Sequence, residues 1–342
     1  MMKKRFVLLL LSLCLLLAAC GGREDPATEG TTAPSQTTVP STAAEVPDTP
    51  QWLADTVMEA IPAGYLSACQ AGGTLETLRY DCGGREKTAT VYLPAGYDPQ
   101  GGERYDILYL VHGAGGDHTT WLGTAWSPSQ TKYLLDNMIA QGKIGPLIVV
   151  APTLERGDRE YAGTTEELAS ELAQYLIPAA ESQYRTWAED VSPAGLAASR
   201  DHRAIGGFSV GGAVVWYAFL EELDCFRYFL PLSGDCWVMG IMSGGWEDQG
   251  TAQALAEAAA ASGWEPWEYY LFVATGTEDG FEFSLKRQLA AMEQYPEVFR
   301  FSDTGFSSGN VFFYLAQGYE HSYAAAREYL YNGLRCFFGT NP

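Results

Sequence analysis

Residues 202–223 read HRAIGGFSVGGAVVWYAFLEEL. An apolar run ends at Ser209 between glycines, and a second apolar stretch with helical period begins at once. Short runs that are apolar throughout mark strands buried on both faces. The pattern G-x-S-x-G at such a junction is that of a nucleophile elbow, in which a strand turns sharply into a helix and leaves the serine hydroxyl exposed above the sheet. Glycines on either side permit the close backbone approach that the turn requires.

Working outward, the same kind of run recurs at 105–113, 145–153, 227–235, 269–279 and 310–322. Segments with helical period lie between them, at about 128–141, 164–184, 211–223, 250–262, 284–294 and 322–337. Strands alternating with helices imply parallel strands joined by right-handed crossovers, with helices on both faces. Upstream, 74–80 and 88–93 alternate apolar and polar residues and are expected to form an opening antiparallel pair. The fold class is therefore α/β, with a mostly parallel central sheet. Sites in such sheets gather at the carboxyl ends of the strands, here HGAGG, APTLE, FSVGG, SGDCW, GTEDG and GYEHS.

A second G-x-S-x-G occurs around Ser307 in TGFSSGN, but a polar, flexible stretch precedes it and a strand follows, so it lacks the elbow. A serine hydroxyl is a weak nucleophile and needs a base within hydrogen-bond reach. His321 is the one histidine downstream of Ser209, just past a strand end. The acid that orients it should end a strand between the two. Asp279 fits best, at the end of YYLFVATG; Asp235 in SGDCW is the runner-up, and Glu278 the third choice. The oxyanion of an ester intermediate needs two backbone donors, expected from Val210, directly after the nucleophile, and from Ala114 in the HGAGG loop. His112 is read as a support for that loop. Trp121, in the loop beside the oxyanion donors, and Trp237, just after a strand end, are candidates to contact the substrate, although large aromatics more often pack in the core. No Cys or His spacing matches a metal site, and no cofactor is expected.

At the amino terminus, MMKKRFVLLLLSLCLLLAAC has a cationic start and an apolar run too short for a membrane-spanning helix, as in a secretory signal. Leu17-Ala18-Ala19-Cys20 resembles a bacterial lipoprotein cleavage box, which would make residues 1–19 the signal peptide and Cys20 the lipidated first residue. Residues 21–50 contain seven Thr, five Pro and no aromatic, so 20–50 is expected to be a disordered tether. A single enzyme domain is expected over 51–342, exported and held at the extracellular face of the membrane by its lipid alone. The net charge of -21 disfavours nucleic acid as a partner. Of the seven cysteines, those beyond the anchor are Cys69, Cys82, Cys225, Cys236 and Cys336, an odd number that leaves at least one thiol unpaired in a monomer.

The segments YLVHGAGGDHTTWL, LIVVAPT, DHRAIGGFSVGG, LPLSGDCW, ATGTEDG and GYEHSY resemble those of the feruloyl and acetylxylan esterases of carbohydrate esterase family one, close to the esterase D group of the α/β-hydrolase superfamily. The resemblance implies Ser209 as nucleophile, Asp279 as acid, His321 as base, and Ala114 and Val210 as oxyanion donors. It implies hydrolysis of feruloyl or acetyl esters on a plant polysaccharide such as xylan. The alternatives are an esterase or acyltransferase acting on a thioester, siderophore or glycolipid, and a surface lipoprotein that binds glycans without turnover.

Overall fold

A nine-stranded sheet runs in the order β1 (Thr74–Cys82), β2 (Arg85–Leu93), β6 (Leu147–Pro152), β3 (Asp106–Val111), β7 (Arg203–Phe208), β8 (Tyr228–Leu232), β9 (Tyr270–Glu278), β11 (Val311–Glu320) and β10 (Phe301–Ser302). The structure, a computed structural model, describes residues 56–154 and 161–340. The expected signal peptide over 1–19, Cys20, the whole of the expected tether over 20–50 and the expected domain boundary at residue 51 therefore lie outside the described residues. Those described belong to one compact unit, Ala43–Pro342.

Strands β1 (Thr74–Cys82) and β2 (Arg85–Leu93) form an antiparallel hairpin, and β2 is also antiparallel to β6 (Leu147–Pro152). Both hairpin strands run further than their apolar alternation suggests. They reach a two-residue turn at Gly83 and Gly84, whose φ values of 60° and 86° place both in the region that favours glycine. Polar Asp81, Arg85 and Glu86 at the solvent-exposed tip hide the strand ends from a hydrophobicity pattern.

From β6 onward the sheet is parallel, through β3 (Asp106–Val111), β7 (Arg203–Phe208), β8 (Tyr228–Leu232), β9 (Tyr270–Glu278), β11 (Val311–Glu320) and the short β10 (Phe301–Ser302). Alternate residues of each strand feed two separate apolar layers. Tyr109, Ile205 and Phe229 point into one, while Leu110, Ala204 and Leu230 point into the other. Helix α1 (Gln130–Ala140) contributes to the second layer, and a two-residue hairpin, β4 (Gly123–Thr124) with β5 (Ser127–Pro128), precedes it. The expected helix over 164–184 is a continuous helical run, α2 (Tyr161–Glu171), a π turn (Leu172–Leu176) and α3 (Ile177–Gln183). Pro178 accounts for the π turn, because it has no N–H to donate and its ring crowds the preceding turn.

The short helices α4 (Pro193–Ala198) and α6 (Ser243–Trp246) lack a long periodic pattern and are additions to the expected set. Helices α5 (Val210–Glu221), α7 (Asp248–Ser262) and α8 (Glu282–Met292) cover the first layer, and α9 (Tyr323–Phe338) covers the second. The arrangement is an α/β-hydrolase fold. Its parallel strands β3, β7, β8, β9 and β11 all end on one side of the sheet, and the sequence stretches expected to carry chemistry follow those ends. No helix among the described residues is long and apolar enough to cross a membrane. Cys69, Cys82, Cys225, Cys236 and Cys336 are all free thiols, so neither Cys69 with Cys82 nor Cys225 with Cys236 forms a bridge.

Candidate active site

The central strand β7 ends at Phe208, and Ser209 takes φ 60° and ψ −120°, a conformation that costs a non-glycine residue energy. Neighbouring contacts hold it there. A side chain on Gly207 would put its first carbon 2.2 Å from the Gly211 carbonyl oxygen, and one on Gly211 would lie 2.5 Å from that of Val111. Hydrogen is the largest group that fits at either place, which explains the glycines on both sides of the serine. The Ser209 amide donates to the Leu232 carbonyl at 2.9 Å, fixing the turn to the end of β8. Helix α5 starts at Val210, whose N–H, in the first helical turn, has no acceptor within the helix.

Over this serine lies His321, with Nε2 2.9 Å from Ser209 Oγ. Its Nδ1 faces both carboxylate oxygens of Asp279, at 3.1 and 3.0 Å. A carboxylate there calls for a proton on Nδ1 and leaves the Nε2 lone pair directed at the hydroxyl. The Asp279 carboxylate is completely buried and also accepts the Phe281 N–H at 2.8 Å. Rings of Phe208 and Phe281 lie 4.5 and 5.2 Å from the imidazole, centroid to centroid. Ser322, directly after His321, caps helix α9 by accepting the Ala325 N–H at 3.2 Å, so the histidine sits on a fixed entry into that helix.

The runners-up are engaged elsewhere. Asp235 is buried and accepts from Trp237 Nε1 at 3.0 Å and from the Gly244 amide at 2.9 Å, while burial pushes its carboxyl up to about 6. Glu278 is exposed to solvent. Ser307 has no strained turn, and its hydroxyl lies 3.1 Å from that of Thr304 in a polar loop.

On the other flank of Ser209 the loop after β3 carries His112, Gly113 and Ala114. His112 is buried, accepts the Leu154 N–H on Nε2 at 2.9 Å and donates from Nδ1 to the Gly113 carbonyl at 2.7 Å. Burial lowers its basicity, in keeping with a neutral ring that supports the loop. Gly113 packs directly on the elbow, where a side-chain carbon would lie 3.3 Å from Ser209 Cβ. Ala114, next in the chain, is exposed.

Trp121 and Trp237 do not offer open faces to an acyl group. They are 1% and 4% exposed, with Trp121 Nε1 donating to the Val111 carbonyl and Trp237 Nε1 to Asp235. Both indoles find their hydrogen-bond partners inside the protein, so they pack beneath the site instead of lining it. Two contributors escape sequence reasoning: Phe281, beside the imidazole, and Tyr323, whose hydroxyl accepts the Gly113 N–H at 2.8 Å. Tyr323 lies in GYEHSY, so its nearness to His321 is visible in the chain, but its bond across 210 residues is not.

A family model described as "Putative esterase" matches residues 83–265. The chain belongs to this esterase family. It is also related to feruloyl esterases. A serine-to-alanine mutant of the feruloyl esterase module from Clostridium thermocellum, solved in complex with sinapinate, is 37% identical, with a TM-score of 0.73 over 83% of this chain and 94% of that one. Endo-1,4-beta-xylanase Y from Acetivibrio thermocellus is 38% identical over 277 residues, covering 81% of this chain and 24% of the xylanase. An endo-1,4-beta-xylanase/feruloyl esterase from Xylanibacter ruminicola is 36% identical over 160 residues, 44% of this chain and 20% of the relative. The chain thus spans about a quarter or less of the length of these two relatives.

Proposed function

We propose that this member of the esterase family hydrolyses carboxylic esters through Ser209, His321 and Asp279. The observation that carries the reading is the unbroken line from Ser209 Oγ through the imidazole to the buried Asp279 carboxylate, with contacts of 2.9 and 3.0 Å. Ser209 Oγ attacks the ester carbonyl carbon as His321 Nε2 takes its proton. The carbonyl electrons become an oxyanion held by the amides of Val210 and Ala114. As the intermediate collapses, His321 gives its proton to the departing alkoxide oxygen and an acyl-Ser209 ester remains. Water, deprotonated by the same nitrogen, then cleaves that ester and releases the acid. Asp279 keeps Nδ1 protonated and stabilises the imidazolium without itself taking the proton.

The substrate proposed is a feruloyl or acetyl ester on a plant cell-wall polysaccharide such as xylan. Support comes from the feruloyl esterase module complexed with sinapinate and from the relative whose name joins xylanase to feruloyl esterase. An exposed aromatic pair, one member of which follows the candidate acid by four residues, is in keeping with it. Trp246 and Phe283 are 68% and 48% exposed, with ring centroids 5.4 Å apart. We further propose that residues 1–19 direct export, that Cys20 carries a lipid and that 20–50 tether the domain over 51–342 at the outer face of the membrane; the composition of these stretches supports this.

The test is a pair of serine variants. Ser209→Ala should abolish p-nitrophenyl acetate hydrolysis, and Ser307→Ala should leave it nearly intact; equal activity in the two would sink the assignment. Methyl ferulate, acetylated xylan and short aliphatic esters, assayed side by side, then decide the acyl group.

A further inference from the structure

We infer that Tyr323 is a positioning residue for the oxyanion loop, its hydroxyl holding the Gly113 amide so that the Ala114 N–H stays aimed above Ser209. The inference rests on the roles proposed above for Ser209 and Ala114. One side chain here touches two parts of the site that are far apart in sequence, the segment after β3 and the residue before the serine. The hydroxyl accepts the Gly113 N–H at 2.8 Å. The ring meets Trp121 edge-on at 5.0 Å, and Trp121 is itself bonded to the carbonyl of Val111 at the end of β3. The ring also lies 4.9 Å from that of Phe208, the residue before Ser209. Tyr323 follows His321 by two residues and opens helix α9.

Gly113 is the joint on which the oxyanion loop can turn, because a glycine has the widest backbone freedom. Its carbonyl accepts from His112 Nδ1 at 2.7 Å and from the Gly116 amide at 3.2 Å. That carbonyl belongs to the same planar peptide as the Ala114 N–H, which therefore points the opposite way. His112 thus fixes the peptide after Gly113, and Tyr323 fixes the peptide before it. With both held, neither dihedral of Gly113 is free. Burial raises the phenol's pKa above its ordinary value, so at neutral pH the hydroxyl keeps its proton and accepts through a lone pair. Phenylalanine would reproduce every ring contact but would leave the buried Gly113 N–H without this acceptor.

The decisive variant is Tyr323→Phe in the full chain, compared with the unsubstituted protein on p-nitrophenyl acetate and methyl ferulate. A misaimed oxyanion donor acts on the transition state, so kcat should fall by about 10–100-fold while KM stays within about twofold. Titration with a fluorophosphonate should still modify one serine per chain, at a rate reduced in parallel with kcat. Full titration excludes misfolding as the cause, and normalising kcat to the titrated fraction keeps the comparison valid if the variant folds poorly. A normalised kcat within about threefold of the unsubstituted protein, or a rise in KM at unchanged kcat, would overturn the inference. Absence of Ser209-dependent turnover in the unsubstituted protein would be a different failure, one that removes the reading beneath it.

Discussion

At the scale of single residues, two aspartates at neighbouring strand ends differ in what they face. Asp279 meets imidazole Nδ1, whereas Asp235 is consumed by an indole N–H and a backbone amide. Asp279→Asn should lower kcat by about 10⁴-fold, because an amide in that place favours the wrong imidazole tautomer. Steady-state assays of the purified variant check this. Asp235→Asn should leave kcat within about threefold and alter instead how stability depends on pH. A folded-state pKa of about 6, above the ordinary carboxyl value, means that the native protein binds this proton more tightly than the unfolded chain does. The resulting stabilisation is complete below about pH 4 and is lost as pH rises through about 6. Urea unfolding should therefore show the difference in stability between the unsubstituted protein and the asparagine variant shifting by up to about 3 kcal/mol between pH 4 and 7, while both share the loss from Glu222, whose carboxyl burial pushes up to about 7. The sequence put Asp279 first by position, since it leads from a strand towards the next helix, and Asp279 is the one that meets the imidazole. It could not show that Asp235 has other partners.

At the scale of elements, the elbow depends on three backbones meeting where side chains would keep them apart. The turn into α5 passes within van der Waals reach of the end of β3, and Gly211 is the point of contact, with the Val111 and His112 carbonyl oxygens 2.5 and 2.8 Å from where a side-chain carbon would sit. Backbone atoms on both sides cannot move aside as a flexible side chain could. Gly211→Ala should thus destabilise the fold by roughly 2–3 kcal/mol and displace Ser209 from His321. Thermal unfolding should show a Tm lower by about 5–10 °C, together with a loss of esterase activity beyond what the unfolded fraction explains. The motif letters made these glycines conspicuous, and Ser307 carries similar letters. What separates the two is the buried strand before Ser209 and the apolar helix after it, both legible as composition. The π turn before Pro178 and the short α4 and α6 were not legible, because none has enough length to show a period.

At the scale of the whole molecule, a buried ion pair ties the amino-terminal end of the central strand to the helical layer. Arg203, at the start of β7, and Glu181, in α3, have side chains 1% exposed each and meet at 2.5 Å. Ser199 Oγ and the Leu196 and Cys225 carbonyls take the remaining guanidinium protons, and Thr186 and Tyr109 donate to the carboxylate. Such a pair need not stabilise more than apolar residues of equal volume would, but losing one partner strands a charge in the core. Arg203→Met should cost about 3–5 kcal/mol, read as a lower urea midpoint. Because the pair lies at the end of the strand opposite Ser209, the folded fraction of that variant should keep its kcat.

The sequence by itself determined the order of the long strands and helices, the parallel sheet and the elbow at Ser209. Each follows from local patterns of apolar residues and glycine that the chain carries within a few residues. It also brought Asp279 and His321 forward, since strand ends in a parallel sheet share one side. Tertiary structure alone decided that Trp121 and Trp237 pack inward, that Asp235 is engaged elsewhere, and that Tyr323 reaches across 210 residues to Gly113. The direction of a side chain and the partner it meets depend on which elements pack against it. That is fixed by the crossing of distant segments, and no stretch of neighbouring residues records it.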